Sequence, residues 1–175
     1  MNIGKRLQNK VALVTGGASG IGAETVRTFA AHGAVVVAAD VQDEQGEKLV
    51  REVNASGGKA IYRRLDVVDE VSWRNLVEET VNTYQKLDVL ANIAGVSGRD
   101  PNVKLQTTIA PGPSIEDTTL EIWNHVMSVN VTGVYLGTKM VLSAMRDAGG
   151  GSIINISSIC GIVGSHSNAA YHASK

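Results

Sequence analysis

Short β-branched apolar runs alternate with longer stretches of helical period along the chain. Val11 to Thr15 is such a run and ends at Gly16 and Gly17. Ala34 to Ala39 is a second, ending at Asp40. Lys59 to Leu65 and Leu87 to Ala91 read as third and fourth strands, and Ser152 to Ile156 as a fifth. Between them, Val26, Phe29 and Ala30 form the apolar face of a helix that stops at His32-Gly33. Leu49, Val50 and Val53 mark a second helix, closed by Gly57-Gly58. Trp73, Leu76, Val77, Thr80, Val81 and Tyr84 mark a third at the spacing of one helix face. Strands that are apolar on both faces and alternate with helices imply a parallel sheet covered on both sides. Right-handed crossovers then lead to a doubly wound α/β fold in a single domain, residues 1–175. A further helical region is predicted from Ile115 to Ala148, with Leu120, Trp123, Val126 and Met127, then Val134, Met140 and Val141. Val96 to Pro113 has no clear period and reads as a long loop, mobile without ligand and bordering a substrate entrance.

Composition narrows the function classes. The 175 residues carry 16 basic and 17 acidic side chains, a formal charge of −1, which argues against a nucleic-acid partner. No stretch of about 18 apolar residues suggests a membrane span. Met1 to Lys10 is polar and lacks the pattern of a signal peptide. The single cysteine cannot form an internal disulfide, so the cytoplasm is the expected location. Cys160 reads as a small buried hydrophobe. His125, His166 and His172 have no ligand spacing with it, and no metal site is expected. His166 and Ile162 fit either a substrate pocket or a plain loop.

Thr15-Gly16-Gly17-Ala18-Ser19-Gly20-Ile21-Gly22 lies between the first strand and the first helix. Gly16 allows the tight turn, Gly20 lets backbone approach a pyrophosphate, and Gly22 lets helix pack closely on sheet. The helix N-terminus offers free N–H groups and the positive end of its dipole to the phosphates. Asp40 closes the next strand, where a carboxylate can accept hydrogen bonds from both adenosine ribose hydroxyls and repels the 2′-phosphate of NADP. Ser19 and Val41 offer no compensating cation, so NAD is the expected cofactor.

These residues resemble the short-chain dehydrogenase/reductase family, whose glycine spacing Gly16-x-x-x-Gly20-x-Gly22 reproduces. Leu65-Asp66-Val67 is similar to its adenine-contacting segment, with the Asp66 carboxylate toward the adenine amino group. Asn92-Ile93-Ala94-Gly95 is similar to its Asn-Asn-Ala-Gly motif, with Ile93 in place of the second asparagine. Asn130, Ser158, Tyr171 and Lys175 match its catalytic tetrad in order and spacing. The resemblance implies a Rossmann-like fold and hydride transfer between NAD(H) and a secondary alcohol or ketone. It implies a homo-oligomer, dimer or tetramer. The cofactor-binding set it implies is Gly16, Ser19, Gly20, Ile21, Gly22, Asp40, Asp66, Val67, Asn92, Ala94, Gly95, Tyr171 and Lys175. Asn130 would position a water in a proton relay, and Lys175 would touch the nicotinamide ribose. A nucleotide-binding module without catalysis and an NADP-dependent acyl-group reductase are the alternatives; the latter sits badly with Asp40.

The chemistry has its own logic. Tyr171 and Lys175 are four residues apart and share one helix face. A phenol with a pKa near 10 is a poor base at neutral pH, and a nearby ammonium favours its phenolate. Ser158 could hydrogen-bond the substrate oxygen within reach of that phenol. Family members normally continue beyond the position of Lys175 through further strands. The expectation for the 175 residues alone is therefore an open edge at the fifth strand and exposure of Val134, Met140 and Val141. Inactivity and self-association would follow.

Overall fold

The computed structural model describes residues 5–98 and 112–175. Most of the expected loop, residues 99–111, lies outside the described residues, and so does the prediction of its mobility. Five parallel strands form one sheet in the order β3-β2-β1-β4-β5. They are β1 (Val11–Thr15), β2 (Val35–Asp40), β3 (Lys59–Arg64), β4 (Val89–Asn92) and β5 (Ser152–Asn155). In register, Leu13 of β1 lies between Val37 of β2 and Leu90 of β4. Strand bounds differ from the sequence reading by one or two residues, as terminal pairings usually do.

Helices α1 (Gly20–Ala31) and α2 (Asp43–Ala55) cover one face, and α3 (Glu70–Tyr84) covers the other. Because strand side chains alternate, Leu13 and Val37 pack with Trp73, Leu76 and Val141, whereas Val14 and Val36 pack with Val26, Leu49 and Val53. That double burial is why the strands read as continuous apolar runs. Trp73 is fully enclosed, and its indole N–H donates to the Val67 carbonyl at 2.9 Å. Asp88, just before β4, accepts from the Val11 amide at 2.9 Å and pairs with Lys10 and Lys86. It thereby ties the start of β1 to β4.

The predicted helical region does not begin at Ile115. Ser114 and Asp117 share a hydrogen bond in a preceding turn, and the Thr119 hydroxyl caps α4 (Leu120–Met127) by accepting from the Ile122 amide. A π turn over Ser128–Thr132 follows, then α5 (Gly133–Asp147). Val141 is fully buried and Val134 and Met140 are half-buried, so the expectation that they are exposed is corrected; Val141 and Met140 pack in the core beside Leu136. The outward side chains are Val131, Tyr135 and Leu142. A single 3₁₀ turn (Ile159–Gly161) and α6 (Ala169–Ser174) close the described chain.

The connection from β1 runs toward β2, while β4 lies on the other side of β1. Loops leaving β1 and β4 therefore diverge, and a crevice opens above their C-terminal ends.

Candidate active site

A cavity of about 660 Å³ occupies that crevice, within the usual range of ligand pockets. Gly16, Ser19, Gly20, Ile21 and Gly22 form its floor at the start of α1. A Cβ on Gly22 would sit 1.9 Å from the Gly16 carbonyl oxygen, so only glycine lets the helix start this close beneath the turn. Gly20 has φ +51°, and the space where its Cβ would stand is open. That open face, with first-turn N–H groups that have no partner inside the helix, is what a pyrophosphate requires. The Thr15 hydroxyl accepts from the Ile93 and Ala94 amides at 3.0 and 3.1 Å, fastening the cradle to the segment after β4.

Asp40 is 7% exposed and lines the cavity. Its Oδ2 accepts from the Ala18 amide at 3.0 Å, and its Oδ1 from the Val41 and Gln42 amides at 2.7 and 3.1 Å. A carboxylate has about four lone-pair positions. Three are engaged, so Asp40 braces the glycine turn and keeps one position, on Oδ2, for a ligand hydroxyl. The sequence reading had offered it to both ribose hydroxyls. Leu65, Asp66 and Val67 line the same end, and the Asp66 carboxylate accepts from the Val68 amide.

At the other end, Gly95, Ile156, Tyr171 and Lys175 converge. Tyr171 and Lys175 stand one turn apart on the last helix, with the ammonium 5.7 Å from the phenol ring centroid. The Lys175 ammonium donates to the Ile156 carbonyl at 2.9 Å, and burial holds its pKa below the usual lysine value. Asn130 is buried in the π turn. Its amide donates to the Val96 carbonyl and the Ser174 hydroxyl, each at 2.9 Å, and its Oδ1 accepts from the Val96 amide at 2.8 Å. Asn130 thus joins the segment after β4 to α6, and a π turn is a common way to aim such a side chain.

Besides Asn130, two more sequence candidates lie off the cavity wall. The Ser158 hydroxyl accepts from the Cys160 amide at 3.2 Å as the cap of the 3₁₀ turn. The Asn92 amide donates to Asn155 Oδ1 at 2.9 Å, joining β4 to β5 under α5. His166 and Ile162 are exposed and do not line the cavity, and Cys160 is half-buried rather than enclosed. The sequence reading missed Thr15, Gln42, His125, Val129 and Ile156. Thr15 was legible as the hydroxyl opening the glycine run; Ile156 acts through its carbonyl and leaves no side-chain signal. Among the described residues no group of histidine, cysteine, aspartate or glutamate could hold a metal ion, and no helix is long and apolar enough to cross a membrane.

A doubly wound sheet with a glycine cradle at its switch point, and a tyrosine–lysine pair facing it, has the form of a nucleotide-binding site. The chain belongs to the short chain dehydrogenase family, whose model matches residues 10–175. It is 41% identical over 170 residues to a 2,5-dichloro-2,5-cyclohexadiene-1,4-diol dehydrogenase of Sphingobium indicum, covering 97% of this chain and 63% of that protein. It is 39% identical over 170 residues to a cyclopentanol dehydrogenase of Comamonas testosteroni, with the same two coverages, 97% and 63%. The structure of an NAD⁺-bound xylitol dehydrogenase superposes with a TM-score of 0.86 at 30% identity, covering 97% of this chain and 61% of that one. The chain thus spans under two thirds of the length of these relatives.

Proposed function

We propose that the protein transfers a hydride between NAD(H) and a secondary alcohol or ketone, with ring-borne hydroxyls as the substrate class. The observation that carries this reading is one cavity with a phosphate cradle and Asp40 at one end and Tyr171 with Lys175 at the other. The names of the similar proteins support it, since a cyclopentanol dehydrogenase and a cyclic diol dehydrogenase both act on ring alcohols. NAD is favoured over NADP by Asp40, and the NAD⁺-bound relative agrees.

The residues present fit the cofactor: the Gly20 face is open, and Asp40 keeps one acceptor for a ribose hydroxyl. When bound, NAD supplies the hydride chemistry. In alcohol oxidation, Tyr171 as phenolate takes the hydroxyl proton; in ketone reduction its phenol returns one to the oxygen. The Lys175 ammonium stands 5.7 Å from the Tyr171 ring centroid, and its bond to Ile156 keeps it on the tyrosine side of the cavity. Asn130 holds α6 against the Gly95–Val96 segment and so fixes the reach of Tyr171. Ser158 orients the substrate oxygen with its hydroxyl hydrogen, while its oxygen accepts from the Cys160 amide.

The same reading includes a homo-oligomer, supported by the exposed apolar side chains Leu120, Trp123, Tyr135 and Leu142 on α4 and α5. It places the protein in the cytoplasm, in keeping with the single cysteine. The test is NAD reduction by the whole protein with cyclopentanol and cyclohexanol. Steady turnover with NAD exceeding that with NADP supports the proposal, and absence of turnover with every ring alcohol and ketone overturns it.

A further inference from the structure

The residue after Tyr171 is joined to the loop that carries Ser158. His172 is half-buried on α6, and both of its ring nitrogens reach the segment between β5 and α6. Nδ1 lies 2.8 Å from the Cys160 carbonyl oxygen, and Nε2 lies 2.8 Å from the Ser165 hydroxyl. A carbonyl only accepts, so Nδ1 carries the hydrogen. Nε2 then accepts from the serine O–H in the neutral ring or donates to its oxygen in the charged one. The Ser165 hydroxyl has one hydrogen; where Nε2 donates to its oxygen, that hydrogen goes to the Ser167 carbonyl at 3.0 Å and carries the connection to the entry of α6.

This segment has little else to order it. Ile159, Ile162 and Val163 are exposed, so apolar burial contributes little. The amide bonds of Gly161, Ile162 and Val163 run to Ser158 and Ile159, inside the segment itself. Apart from the His172 contacts, the Ser157 hydroxyl reaches the Lys175 carbonyl at 3.2 Å, and Gly161 lies close against that same carbonyl. The inner contact is the consequential one. Cys160 offers its carbonyl to His172 while its amide donates to the Ser158 hydroxyl. One residue therefore separates the imidazole beside Tyr171 from the serine expected to orient the substrate.

We propose that His172 is a positioning residue that clamps the Ser158–Ser165 segment to α6 and thereby sets the Ser158 hydroxyl relative to the Tyr171 phenol. The proposal rests on the alcohol dehydrogenase reading for its catalytic consequence, though not for the clamp itself. A displacement of about 1 Å between two groups acting on one substrate oxygen can cost on the order of 100-fold in rate. The clamp does not touch the glycine cradle or Asp40, so NAD affinity should be indifferent to it.

The test uses the whole protein and three variants, His172→Ala, His172→Asn and Ser165→Ala. Asparagine can place an amide N–H near the position of Nδ1 and keep the bond to Cys160, while Ser165→Ala removes only the outer contact. Expected for His172→Ala is a fall of roughly 10- to 100-fold in kcat for cyclopentanol oxidation, with the NAD dissociation constant unchanged. His172→Asn and Ser165→Ala should retain most of the wild-type kcat. Hydrogen exchange followed by mass spectrometry, with NAD and no alcohol, should show faster exchange over residues 159–167 in His172→Ala alone. Wild-type kcat in His172→Ala, an equal loss in His172→Asn, a parallel loss of NAD affinity, or unchanged exchange would each overturn the clamp. A wild-type protein that turns over no ring alcohol defeats the functional reading instead, and the exchange experiment still decides the clamp.

Discussion

Replacing Gly22 by alanine tests whether the start of α1 is built around a single close approach. The new Cβ would lie 1.9 Å from the Gly16 carbonyl oxygen and 2.6 Å from its carbonyl carbon, well inside ordinary contact. Relief requires the turn and the helix to separate by more than an ångström. The turn cannot retreat easily, because Gly16 is already close against the Ala94 backbone on its far side and Thr15 is bonded to the Ile93 and Ala94 amides. Overpacking of this kind costs about 1–3 kcal/mol of stability. The displaced N–H groups would also lose their aim at the pyrophosphate, and each ~1.4 kcal/mol lost there weakens binding about tenfold. Gly20→Ala is the control. Its Cβ meets nothing, but φ +51° costs an L-residue roughly 1–2 kcal/mol, and the methyl would enter the space reserved for the phosphates. Thermal unfolding without ligand and calorimetric titration with NAD separate the effects. Both variants should lose stability and affinity, Gly22→Ala through overpacking against Gly16 and Gly20→Ala through its left-handed backbone and the blocked phosphate space. Wild-type melting and wild-type NAD affinity in Gly22→Ala would refute the argument.

Three further outcomes follow from the same contacts. Tyr171→Phe removes the proton donor, and kcat should fall by the ~10²–10⁴-fold typical of general acid–base catalysis while NAD affinity stays put; steady-state kinetics and calorimetry check both. Asp40→Ala should narrow the NAD-over-NADP gap mainly by weakening NAD, because the Ala18, Val41 and Gln42 amides lose their acceptor as well; paired titrations with the two nucleotides measure it. Asp88→Ala leaves the Val11 amide without its buried acceptor and should lower unfolding free energy by about 1–3 kcal/mol at neutral pH, read by urea denaturation. Burial alone would raise the Asp88 pKa, but the Val11 amide, Lys86 and Lys10 outweigh it and hold it below the usual value. Its contribution is therefore present above the unfolded pKa of about 3.9 and lost as pH falls through the lower folded pKa, so the gap between wild type and Asp88→Ala should close in acid.

The fold was legible because burial on both faces leaves an unambiguous mark: Val11–Thr15 and Val35–Asp40 have no polar alternation to confuse with a hairpin. The cradle was legible for a related reason, since Gly16, Gly20 and Gly22 are placed by backbone geometry that few other residues meet. What stayed hidden depends on partners far apart in sequence. Asp40 reads as a ligand-facing carboxylate, yet most of its acceptor capacity serves the amides of Ala18, Val41 and Gln42. Asn92 sits in a motif associated with cofactor contacts, yet its side chain bridges to Asn155, 63 positions away. The turn over Ser114 to Thr118 reads as helix because the apolar Ile115 lies just before the apolar positions of α4, and hydroxyl bonds rather than apolar spacing decide the boundary.

The π turn over Ser128–Thr132 also bears on how this sequence can vary. A wide turn of this type holds one residue more than an α-helical path between the same ends. Winding the turn into a regular α-helix with that residue retained would join α4 and α5 as one rod, but one residue out of phase. A one-residue change in phase rotates everything downstream by about 100°, swinging either Val126 or Leu136 and Val141 away from the core. With that residue present, the wide turn is therefore held in place by both flanking helices. Asn130 inherits its place from that lock: substitutions can change the side chain, but the register that presents it cannot drift by small steps.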